Sequence, residues 1–138
     1  MRLNQVTLPC TDYAASVGWW QRFGLTLIVD SPPNYARFEC PVFEGEEPAT
    51  LSLHLVDKVA EGEGVQVYFE VSDVFIEVGG RCMAGIHPLG EPERKDWRWT
   101  EAWYRDPAGN AVCLYSAGRN RRFPPWRVGN EQGPKAAE

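Results

Sequence analysis

Cys113, in DPAGNAVCLY (106–115), and Ser52 with His54, in ATLSLHL (49–55), are side chains whose types could do chemistry. Both runs alternate, so Val112 and Leu114 point one way while Ala111, Cys113 and Tyr115 point the other, and Ser52 shares a face with His54. A thiol attacks or ligates only as the thiolate, which needs a neighbouring His, Lys, Arg or helix N-terminus. His54 is the one obvious activating base, because His87 sits beside Pro88 in an early-strand or turn position. The competing expectation for Cys113 is a small buried side chain lining a cleft, as free cysteines usually are. For His54 it is a polar strand residue making one hydrogen bond.

The chain that must position these groups has 138 residues, 43% hydrophobic and 24% charged, which fits one domain around a single core. A formal charge of -5 argues against a nucleic-acid or anionic-membrane binder, since phosphate recognition needs a basic surface. MRLNQVTLPC has neither a basic n-region nor an apolar h-region, and no apolar run approaches membrane-spanning length. The expected setting is cytoplasmic. Cys10, Cys40, Cys82 and Cys113 show no CxxC spacing and fit reduced thiols better than a zinc knot.

The chain repeats itself. NQVTLPCTD (4–12) lies in register with VQVYFEVSD (65–73), pairing Gln5 with Gln66, Val6 with Val67 and Asp12 with Asp73, an offset of 61 residues. The same offset pairs Val17-Gly18 with Val78-Gly79, Leu53 with Leu114 and Ser52 with Cys113. In the first half, residues 3–9 alternate as a strand. Thr11 or Asp12 then caps a helix through DYAASVGWWQRF that stops at Gly24. Strands follow over LTLIVD (25–30), YARFEC (35–40) and ATLSLHLVD (49–57). In the second half VQVYFEV, a helix from Ser72 or Asp73 to about Ala84, IHPLG, WRWTEAWYR and AVCLY repeat the order. The expected class is α+β: two βαβββ repeats, about 3–57 and 64–116, forming a curved mixed sheet around a central cleft. A Gly, Arg and Pro-rich tail follows from Ala117 to residue 138.

A curved four-stranded sheet with one helix buries only one face, so two units pair around a pseudo-twofold axis, within the chain or across a dimer. Inward-pointing equivalents then converge: Gln5 with Gln66 and Ser52 with Cys113.

A first strand of the form x-Gln/His-V-x-L before an Asp-headed helix, and a DPxGNxxxLY close, resemble the vicinal oxygen chelate superfamily. That superfamily includes glyoxalase I, bleomycin-resistance proteins, fosfomycin-resistance thiol transferases and extradiol dioxygenases. The resemblance covers roughly residues 3–128 and implies one domain over 1–128, on a scaffold that serves many chemistries. In metal-using members it implies ligands from the first and last strand of each half, here Gln5, Ser52, Gln66 and Cys113. Two neutral amides, a hydroxyl and a thiol thus replace the usual His and Glu, whose donors offset the loss of metal hydration. No cofactor is expected. A divalent metal, if one binds, would draw on Gln5, His54, Gln66 and Cys113.

The aromatics Phe38, Tyr68, Trp97, Trp99, Trp103, Tyr104 and Tyr115 fall on strands that would face or cap the cleft, although alternation in WRWTEAWYR must send some into the core. The expected ligand is a planar or partly apolar small molecule, in a cleft containing Gln5, Ser52, His54, Gln66, Tyr68, Trp103, Cys113 and Tyr115. The chain is read as a glyoxalase- or bleomycin-resistance-like binder, with a metal-dependent lyase, isomerase or dioxygenase as the alternative. The expected assembly is a homodimer. Trp19 and Trp20, about 100° apart on a helix, are expected to split between the sheet and a neighbouring subunit. In the tail, Arg119, Arg121, Arg122 and Arg127 suit a solvated arm, whereas Phe123 and Trp126 favour docking.

Overall fold

The computed structural model describes residues 1–62 and 64–130. The first alternating run forms β1 (Gln5–Cys10), and Asp12 accepts a hydrogen bond from the Ala15 N–H to cap α1 (Tyr13–Phe23). Gly24 ends that helix at φ +120°, its N–H reaching the carbonyls of Trp20 and Gln21. β2 (Thr26–Ser31), β3 (Tyr35–Glu39) and β4 (Thr50–Leu55) complete the first half. The second half follows the same order: β5 (Gln66–Glu70), α2 (Val74–Met83) capped by Asp73, β6 (Glu93–Arg94), β7 (Thr100–Arg105) and β8 (Ala111–Ser116).

Each half is a four-stranded mixed sheet, ordered β1-β4-β3-β2 and β5-β8-β7-β6, with only the first pair of each order parallel. The offset of the sequence repeat survives as register: Gln5 pairs with Thr50, and Gln66 pairs with Ala111. One expected strand is corrected. IHPLG (86–90) is not a strand, because Pro88 has no N–H for a ladder, and the short strand β6 begins only after Pro92.

One apolar core serves both halves. Leu51, Leu53 and Phe38 of the first sheet and Ala102, Tyr104, Val112 and Leu114 of the second belong to a single buried cluster. α1 joins them, with Phe23 packing on Phe69 and Tyr104 at ring separations of 5.6 and 5.4 Å. Burying one such phenylalanine contributes roughly 1.5–3 kcal/mol. The expected split of Trp19 and Trp20 is also corrected, since both are buried. Trp19 stacks on Phe23 while Trp20 meets Phe69, because α1 has apolar neighbours from both halves and so buries more than one narrow stripe.

The tail begins with a turn of 3-10 helix over Gly118–Arg121 and packs back on the body. Arg121 pairs with Glu70 at 3.3 Å, and the Arg98 guanidinium lies over the half-buried Trp126. Residues 131–138 of the expected tail lie outside the described residues.

Candidate functional site

Each sheet has a second face, turned away from the common core. On the first sheet it carries Gln5 on β1, Tyr35 and Arg37 on β3, and Ser52 and His54 on β4. The Ser52 hydroxyl is fully buried and lies 2.7 Å from the Tyr35 hydroxyl, which also accepts a bond from Arg37 Nε at 2.9 Å. The Ser52 hydrogen bond is the largest influence on the Tyr35 phenol and, with Arg37, holds it below the usual tyrosine range. Gln5 is exposed and its Oε1 accepts from Thr50 Oγ1 at 2.8 Å, while His54 stands exposed at the end of β4.

On the second sheet the same face carries Gln66 and Tyr68 on β5, Glu101 and Trp103 on β7, and Cys113 and Tyr115 on β8. Trp99 stacks on Tyr115 at 4.4 Å with 15° between planes. Tyr68 presents its edge or face to Trp103, Tyr115 and Trp99 at 5.4, 5.8 and 6.0 Å. Cys113, Tyr115 and Ala117, with Trp99 and Trp103 packed against them, form a second, smaller buried cluster, separate from the main core, and Tyr68 adds its exposed ring at the edge. Burial, reinforced by the Glu101 charge, pushes the Cys113 thiol up to about 12, so at neutral pH it is a closed-up thiol and not a nucleophile.

Glu101 lies within this wall and is only 4% exposed. Its Oε2 accepts from Trp97 Nε1 at 2.6 Å and its Oε1 from Trp103 Nε1 at 3.0 Å. A single carboxylate therefore fixes two indole rings by their edges and leaves their faces to other contacts.

The expected cleft residues thus separate into two groups. Tyr68, Trp103, Cys113 and Tyr115 come together, with Gln66 tied to the Tyr68 hydroxyl at 3.1 Å. Gln5, Ser52 and His54 lie on the other sheet, and no described hydrogen bond, ion pair or ring contact joins them to the second group. A groove of about 740 Å³ between the halves is lined by Leu25, Val42, Phe43, Phe69 and Arg81 among others, and by none of the expected cleft residues. Of the aromatics, Phe38 and Tyr104 are fully buried in the common core.

A family-type metal does not fit these residues. Among the described residues no three His, Cys, Asp or Glu side chains gather closely enough to hold an ion. Of the positions the resemblance pointed to, Gln5 and Gln66 are neutral amides already hydrogen-bonded, Ser52 is held by Tyr35, and the Cys113 thiol resists the deprotonation that ligation requires.

Glu101, Tyr35 and Arg37 are the residues sequence reasoning missed. Alternation within TEAWYR does put Glu101 on the face of Trp103, and that signal was available, whereas Trp97 and Trp99 precede β7 and reach the same side through a turn in which Arg98 has φ +68°. The repeat hid the rest. Arg37 lies opposite Ser52 and Trp103 opposite Cys113, while Tyr35 lies opposite His54 and Glu101 opposite Tyr115. The equivalent third strands are therefore out of step with the constant offset, because the two halves distribute their connecting residues differently around them.

Residues 2–114 match the family model of the Glyoxalase/Bleomycin resistance protein/Dioxygenase superfamily. Solved structures similar to the chain include a glyoxalase/bleomycin resistance protein/dioxygenase family enzyme from Burkholderia phytofirmans PsJN (TM-score 0.66, 18% identity, 83% of this chain and 97% of that one). A lactoylglutathione lyase from Agrobacterium tumefaciens gives a TM-score of 0.62 at 20% identity, covering 88% of this chain and 97% of that one. A bleomycin-binding protein in complex with bleomycin gives 0.65 at 16%, covering 84% and 98%. At these identities the likeness is one of fold. No curated protein matches the chain.

Proposed function

The chain belongs to the glyoxalase/bleomycin resistance protein/dioxygenase superfamily, and on that premise we propose that it binds a small, planar or partly apolar organic molecule without a family-type metal. The observation that carries this reading is the ring wall of Tyr68, Trp99, Trp103 and Tyr115, in which Glu101 holds the Trp103 indole. Tyr68 is 43% exposed and Trp97 45%, an aromatic surface suited to stacking a ligand. A fold neighbour that carries bleomycin supports binding, rather than turnover, as a use of this scaffold. Gln5 and His54, exposed on the first sheet with Ser52 buried beneath Tyr35, form the opposing wall when the cleft closes between two copies, and the working unit in this reading is a homodimer. No described helix is long and apolar enough to cross a membrane, and all four cysteines are free, which suits a reducing cytoplasm.

A thermal-shift screen of planar aromatic compounds tests the reading: a binder raises the melting temperature of the wild type and not of Tyr68→Ala or Trp103→Ala. Metal analysis of protein purified without an affinity tag tests the other half. Stoichiometric zinc, nickel, manganese or iron that leaves on His54→Ala would favour a lyase, isomerase or dioxygenase using Gln5, His54, Gln66 and Cys113.

A further inference from the structure

The geometry points to an organic cation with a planar ring system as the ligand of the second-sheet face, with Glu101 as the residue that selects its charge. This rests on the stacking-site reading above and adds the sign of the ligand and the group that sets it.

An indole N–H can only donate, so the two oxygens of Glu101, each accepting from one tryptophan, are arranged as a carboxylate. Among the described residues that carboxylate has no ion-pair partner. Of the cations nearby, Lys95 Nζ pairs with Glu93 at 2.6 Å and lies 5.9 Å over the Trp97 ring, Arg121 pairs with Glu70 at 3.3 Å, and Arg98 lies over the Trp126 ring. Glu93 and Lys95 cancel, so the charge of Glu101 is left over on this part of the face. A buried charge held by neutral donors alone interacts strongly with a cation brought close to it, because little water intervenes. The rings act in the same direction. An aromatic face attracts cations, and donating its N–H to an anion makes an indole face richer in electrons.

The other half of the molecule provides an internal comparison. On β3 Arg37 Nε donates to the Tyr35 hydroxyl, and at the matching places on β7 Trp103 Nε1 donates to Glu101. The same two strand positions, linked by the same kind of i to i+2 contact, carry a cation in one half and an anion in the other. The negative character is therefore a property of the second face and not of the scaffold.

Isothermal titration of the full chain at low salt and pH 8, with N-methylquinolinium, neutral quinoline and 1-naphthalenesulfonate as probes, tests the assignment. The cation is expected to bind about tenfold tighter than quinoline, and the sulfonate most weakly. In Glu101→Gln the preference for the cation over quinoline falls to within about threefold, and circular dichroism reports whether that variant folds. The wild-type ratio tests the inference without any variant. Equal binding of quinolinium and quinoline, or tighter binding of the sulfonate, overturns the charge assignment while leaving the stacking site intact. Failure of all three probes to bind overturns both.

Discussion

The indole N–H of Trp20 in α1 donates to the carboxylate of Asp106 at 3.1 Å, joining residues 86 positions apart and tying the first repeat to the second. Asp106 opens the turn before β8 and also accepts from the N–H groups of Ala108 and Asn110 and from Asn110 Nδ2. Asn110 Nδ2 in turn reaches the Pro9 carbonyl on β1 at 3.0 Å. The DPAGN segment is thus a clasp between halves. At the equivalent place in α2 stands Arg81, whose guanidinium lies 4.6 Å over Phe23. Equivalent helix positions thus tie the two repeats together by different chemistry, an indole–carboxylate hydrogen bond at one and a guanidinium over a phenyl ring at the other.

That clasp predicts coupling. Trp20→Phe leaves the buried Asp106 short of a donor and should cost about 2 kcal/mol of stability in urea unfolding. Asp106→Ala strands several donors at once and should cost about 3 kcal/mol or more. The double variant should lose at least 1 kcal/mol less than the sum, roughly the worth of a hydrogen bond to a charged group. Strict additivity would mean that the two side chains do not act together.

Cys113 is fully buried and its thiol is held protonated to about 12, so it should resist alkylation at pH 8. Mass-spectrometric mapping after brief iodoacetamide treatment should find Cys82 modified before Cys113, since Cys82 is only partly buried. Rapid modification of Cys113 in the native protein would be incompatible with its burial beneath Trp99, Trp103 and Tyr115.

The hydrogen bond from Ser52 lowers the Tyr35 phenol, so its removal in Ser52→Ala should move that titration upward. Absorbance at the tyrosinate band across alkaline pH, compared with Tyr35→Phe to assign the step, reads the shift. A Tyr35 step unmoved by Ser52→Ala would assign the lowering to Arg37 alone.

Alkaline pH should weaken the fold. Burial pushes Cys113, Tyr104 and Tyr115 each up to about 12, from ordinary values of 9.0 and 10.0. Between the ordinary values and 12 the folded chain holds protons that the unfolded chain has released, so stability falls as pH rises through that window. The melting temperature should decline there, and more gently in Cys113→Ala and Tyr115→Phe. A slope unchanged in both variants would show that these two groups are not the source.

Much of the architecture was legible because it rests on local, periodic signals. Alternation in AVCLY separated Val112 and Leu114 from Cys113 and Tyr115, and the structure places the first pair in the common core and the second in the ring cluster. Asp12 and Asp73 cap their helices, and the Gln5 and Gln66 registers carry the repeat through to strand pairing. Where a local signal was ambiguous the reading failed, as at IHPLG, whose apolar residues suggested a strand that Pro88 prevents.

The sequence by itself determined the two βαβββ units, apart from the place of β6, and the face each strand residue takes. Those features follow from periodicity, capping and side-chain chemistry, each confined to a few neighbouring residues. Only the tertiary structure decided that Trp19 and Trp20 are both buried, that the Gln5 and Ser52 group stays apart from the Tyr68 and Cys113 group within one chain, and that Glu101 ties Trp97 to Trp103. These depend on which side chains meet across strands and between halves. A repeat offset cannot supply that information when the connecting segments differ in length.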